Sequence, residues 1–115
     1  ADNSQVRVPT LSHDVAEAVC DLLRIGYVGT IHVAAPSRVT RYTMMREIAD
    51  TFEYDNVTLV ERKDAHVPRA PRPYDSTLDT SLYTSLGLHP MRSFGEGIRY
   101  VQTLMSCRDI DWRTL

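Results

Sequence analysis

The stretch "HVPRAPRPYDSTLDTSLYTSLGL", residues 66 to 88, constrains this chain more than any other. Pro68, Pro71 and Pro73 hold its start near polyproline II geometry, so the segment reads as a stiff extended arm leading into a short helix. The period of three places Arg69 and Arg72 along one edge of that arm. Two readings are open on spacing alone. The arm is a rigid connector whose arginines pair with Asp64, Asp75 or Glu61 at the surface, or it is a guanidinium rim for an anion. A stiff backbone reduces the entropy lost when the guanidiniums order on a ligand, and a guanidinium grips phosphate in a bidentate manner.

The rest of the chain alternates helical and β-branched patterns. "SHDVAEAVCDLLRIG" predicts a helix with Ser12 as N-cap, Asp14 as a first-turn carboxylate and Gly26 as its left-handed stop. Val15, Val19 and Leu22, with Ala16, Cys20 and Leu23 beside them, form its expected core stripe. "GTIHVAA" is short, β-branched and bounded by Gly29 and Pro36, which predicts a buried strand. A second amphipathic helix follows over residues 40 to 53, capped by Thr40, with Val39 placed to staple against Met44. "NVTLVER" is the next expected strand. Beyond the arm, Asp79 or Thr80 caps a two-turn helix stopped by Gly87. Ser93 to Glu96 fits the capping box of a last helix buried through Ile98, Val101, Leu104 and Met105. The fold class expected is α/β, with about four helices and two or three short strands in a single domain over residues 1 to 115.

The 115 residues suffice for one modest core but not for a cofactor domain plus a substrate domain. A formal net charge of -2 with both signs interspersed argues against a nucleic-acid surface, and no apolar run is long enough to span a bilayer. The start, "ADNSQVRVPT", has no signal-peptide core, so a cytoplasmic setting is expected. Cys20 and Cys107 lack ligand spacing and are expected as reduced thiols, at least one of them in the core.

Isolated candidate groups are few. Tyr42 and Arg46 sit four apart on a helix and read as a surface contact. His13 and Asp14 are adjacent, yet Asp14 already serves the helix start. His32 alternates with Ile31 and Val33 and so should face away from them, toward a cleft. His66 and Asp64 make a weak metal pair, and no metal site is expected. No glycine-rich dinucleotide turn, P-loop, H-E-x-x-H or G-x-S-x-G elbow is present.

Three ordered blocks, "QVRVPTLSHDVAEAV", "GTIHVAAPSRVTRYTMMREIADTF" and "RPYDSTLDTSLYTSLGL", carry a more specific signal. Together they resemble the C-terminal, substrate-side part of extended short-chain dehydrogenase/reductases of the dTDP-4-dehydrorhamnose reductase type, from Gln5 to about Leu104. The shared pattern is a Q-x-x-x-P-T entry, an aspartate opening a helix, a G-x-Y/F-H strand, a helix ending in I-A-x-x-F and an R-P-x-N-S-x-L-D arm. The same superfamily includes the regulatory beta subunit of methionine adenosyltransferase, which Gln5 to Thr10, Gly29 to His32 and the Trp112-Arg113 tail also resemble.

The resemblance implies a small domain of an extended NAD(P)-binding Rossmann-type reductase, without the half that holds NADP and the catalytic Thr/Ser, Tyr and Lys. It implies a nucleotide-sugar ligand, with Arg72 beside its pyrophosphate or the cofactor-domain cleft and Asp75 and Ser76 shaping the same loop. Arg69, on the same edge of the arm, and His32, on its strand, complete the substrate-binding candidates. No catalytic residue and no bound cofactor are expected in this chain alone, which should be inactive by itself. Expected partners are the N-terminal Rossmann half, and a second copy or a methionine adenosyltransferase catalytic subunit. Asp75 stands where the family carries Asn, and a carboxylate beside a phosphate is electrostatically unfavourable.

Overall fold

Four helices are joined by segments that touch through single backbone bridges rather than ladders, in a computed structural model that describes residues 1–62 and 70–107. Helix α1 spans Ser12–Arg24, α2 Arg41–Thr51, α3 Ser81–Ser85 and α4 Phe94–Cys107.

The helix ends follow local chemistry. Thr40 accepts from the Thr43 N–H while the Thr43 hydroxyl accepts from the Thr40 N–H, a reciprocal cap that starts α2. Ser93 and Glu96 make the same exchange at α4, at 3.3 Å in each direction. Gly26, at φ +68°, ends α1 in a Schellman arrangement: its N–H donates to Leu23 O, and that of Tyr27 to Leu22 O. Gly87, at φ +65°, follows α3. The start of α1 differs from expectation. Leu11 occupies the N-cap without a side-chain hydrogen bond, and Ser12 is already helical. For α3 it is Asp79 that accepts from the Ser81 N–H, at 3.0 Å, while the Thr80 side chain caps nothing.

The expected strands are the main correction. Residues 29–35 and 56–61 belong to no ladder among the described residues, and the pairings present are isolated bridges: Asp2 with Arg62, Val6 with Asp75, and Arg7 with Val39. A strand needs a neighbour to take its N–H and C=O groups, and α1 and α2 flank residues 29–35 without offering an extended partner.

The core is thin. Among the described residues Ala18, Ala34, Ala35, Phe52 and Tyr83 are the buried hydrophobic ones, beside buried Gly95 and Gly97 of α4, which packs against α2. Helix α1 turns Asp14 and Ala18 inward, and the stripe expected to be buried lies outward: Val15, Val19, Cys20 and Leu23 are exposed, Leu23 to 76%. The inward Asp14 carboxylate is held by His89 and Arg92 of the segment before α4. Cys20 and Cys107 are both exposed free thiols, so neither joins the core. Within α4, Ile98, Val101 and Met105 are half-buried and Leu104 is exposed.

Candidate functional site

The arm re-enters the described structure at Ala70 and is tied down at Tyr74 to Thr77. The Val6 N–H donates to Tyr74 O at 2.8 Å and the Ser76 N–H to Val6 O at 3.3 Å, while Arg7 Nη1 donates to Pro73 O at 3.0 Å. Val39 pairs with Arg7 from the other side, so three sequence-distant segments meet here. Arg72 is exposed on this tether, Ser76 is half-buried with its hydroxyl turned to Val6 O, and Asp75 faces solvent. Arg69 lies outside the described residues, as do His66 and Asp64.

Asp75 does not pair with Arg72. Its carboxylate forms an ion pair with Arg38 and accepts from the Thr77 hydroxyl and the Thr77 N–H, the latter at 2.9 Å. Arg38 Nε also donates to Thr77 Oγ1 at 3.1 Å. The Thr77 hydrogen bonds, and behind them the Arg38 charge, hold the Asp75 carboxyl below its ordinary value. The electrostatic objection to Asp in this loop is therefore met locally, since Arg38 balances the carboxylate and leaves the Arg72 charge uncompensated by it. Sequence reasoning missed Arg38. Its only signal was a cation in the turn between a β-branched run and a helix cap.

His32 is exposed while Ile31 and Val33 are half-buried, the alternation expected of it. Its neighbourhood is Asp79, whose carboxyl is lowered first by hydrogen bonds from Ser81 and then by the field of His32. A cleft of about 350 Å³ opens between the 34–36 segment and α3, lined by Ala34, Pro36, Thr80, Tyr83, Leu88 and Met91 among others. A second, of about 270 Å³, lies between Pro9 to Ser12 and the start of α4. Neither is lined by Arg72, Asp75, Ser76 or His32.

The strongest electrostatic feature is internal. Asp14, 1% exposed, accepts from His89 Nε2 at 2.9 Å and from the Arg92 N–H at 2.9 Å, and forms an ion pair with the Arg92 guanidinium. Burial pushes the Asp14 carboxyl upward, but hydrogen bonds from His89 and Arg92 and their charges outweigh it, leaving the group below its ordinary value. Asp21 adds a bond from the His89 N–H at 3.0 Å, and Tyr83 donates its hydroxyl to His89 O. Two carboxylates of α1 thus clamp the 89–92 segment, whose Pro90 and Met91 line the first cleft. His13 is not part of a dyad with Asp14; its ring meets Tyr100, over which Arg92 stacks at 4.1 Å. Tyr42 and Arg46 make the expected surface hydrogen bond at 3.3 Å. Among the described residues no cluster of potential metal ligands occurs, and no helix is long and apolar enough to cross a membrane.

The family described as RmlD substrate binding domain matches residues 1–106. Methionine adenosyltransferase 2 subunit beta of Mus musculus and of Bos taurus are each 34% identical over 104 residues, and that of Xenopus tropicalis is 30% identical over 103. Each of these alignments covers 85% of this chain but 31% of the relative, so the chain spans about a third of the length of these proteins. The fold is similar to that of dTDP-4-dehydrorhamnose reductase from Bacillus anthracis in complex with NADP, with a TM-score of 0.71 at 22% identity, covering 86% of this chain and 35% of that one.

Proposed function

The chain belongs to the RmlD substrate binding domain family, and from that premise we propose that it forms the substrate-side wall of a nucleotide-sugar reductase. In this reading the hydride comes from NADPH, and the cofactor site and the proton donor belong to a reductase half other than this wall. The observation that carries this reading is the family match over residues 1–106, together with a loop at 72–77 in which Arg38 offsets Asp75. In this role Arg72 meets a pyrophosphate, Arg69, Asp75 and Ser76 shape the loop around it, and His32 contacts the ligand from the 29–35 segment. The chain by itself performs no turnover, because chemistry requires donor, acid and substrate to be held together. The test is thermal stabilisation of the full-length protein by dTDP-sugars, expected for the parent sequence and lost in Arg72→Ala. Full-length protein that neither binds nor reduces dTDP-4-keto sugars would exclude the reading, as would NADPH oxidation by residues 1–115 alone.

A second reading is favoured by the 34% identity to methionine adenosyltransferase 2 subunit beta. In it the same wall belongs to a regulatory subunit that contacts a catalytic subunit and performs no chemistry. Co-purification with a methionine adenosyltransferase catalytic subunit is the expected result; failure to associate in a mixture at micromolar concentration argues against it.

A further inference from the structure

Asp75 and Arg38 link the turn before α2 to the end of the arm through side chains, beside the backbone bridges that Val6 and Arg7 make to the same two segments. The Arg38 side chain is 56% exposed and that of Asp75 37% exposed, so water competes for the pair and it contributes little to folding. Asp75 does not depend on it. The Thr77 hydroxyl and N–H both donate to Oδ1, the carboxylate oxygen that Arg38 does not engage. Among the described residues Arg38 has one further hydrogen bond, from its Nε to Thr77 Oγ1. A guanidinium held by an exposed carboxylate and a hydroxyl is therefore ready to exchange onto a stronger acceptor, and phosphate oxygens accept two parallel N–H bonds from it.

We propose that Arg38 is a second phosphate-binding residue, which Asp75 holds in reserve until a nucleoside diphosphate reaches the 70–77 loop and takes the guanidinium over. The proposal rests on the nucleotide-sugar reading and adds a residue and a mechanism to it. Asp75 acts as a stand-in anion: it keeps Arg38 oriented toward the loop in the empty site and makes weak anions poor competitors. The carboxylate therefore sets specificity, because only a ligand that replaces both of the Arg38 contacts displaces it.

The experiment is calorimetric titration of dTDP and of inorganic pyrophosphate into the full-length protein and its variants, with circular dichroism to verify folding. Loss of one charge-assisted bidentate contact in Arg38→Ala should weaken dTDP binding about tenfold, with Arg38→Lys between it and the parent. Asp75→Asn frees the guanidinium and should tighten binding by about threefold or more, a gain that disappears in the Arg38→Ala background because the two residues act through one pair. Two outcomes overturn the proposal alone: dTDP binding that falls in Arg72→Ala but stays within about twofold in Arg38→Ala, or an Asp75→Asn gain of equal size with and without Arg38. Absence of dTDP and pyrophosphate binding by the parent protein overturns both this proposal and the reading beneath it.

Discussion

Asp14 shows how much a single carboxylate decides. Its position in the first turn of α1 was legible from sequence, since acidic groups favour that end of a helix. Its partners were not, because His89 and Arg92 lie 75 and 78 residues away and no spacing rule links them. Asp14→Ala strands the partly buried His89 and Arg92 without their carboxylate, so it should lower stability by about 3 kcal/mol in urea unfolding, with Asp14→Asn less damaging. The pH dependence has a definite sign. The folded carboxyl lies below the ordinary value of 3.8, so its contribution is complete above about pH 4 and is lost as pH falls through the depressed folded value. Acid unfolding of the parent and Asp14→Asn should accordingly converge below that point; parallel curves would refute the assignment. At the same scale Arg72 and Asp75 were legible as candidate residues, whereas the pairing of Asp75 with Arg38 across 37 positions was not.

Helix ends were the most readable elements, because a cap is settled by residues three or four apart. Thr40, Gly26, Gly87 and the Ser93 to Glu96 box all fell where the sequence placed them. A methyl group added at Gly26 would meet nothing within 4 Å, so only its left-handed backbone resists substitution, and Gly26→Ala should cost about 1 kcal/mol in thermal unfolding. Gly97 is the control: a Cβ there would meet Leu11 at an ordinary 3.7 Å inside a helix, so Gly97→Ala should be neutral or stabilising. The expected strands failed for the complementary reason. β-branched composition marks residues 29–35 as able to pair, but pairing is completed by a second segment that α1 and α2 do not supply.

Across the whole molecule the plainest feature is an apolar face on and just beyond α1, where Val19, Leu23, Ile25 and Val28 stand exposed, the last to 92%. An apolar face of this kind seeks cover. In a polypeptide of the length of its relatives, Leu23→Asp should lower thermal stability, whereas in residues 1–115 alone it should leave stability within about 0.5 kcal/mol. Equal effects in both would show that this face is not covered. Sequence by itself determined the helices, their caps apart from the start of α1, and the family to which the chain belongs, because propensity, capping and motif order are local properties carried by neighbouring residues. Only the tertiary structure decided which side of α1 turns inward, that residues 29–35 stand without a ladder, and which cation balances Asp75, because each depends on groups brought together from distant parts of the chain.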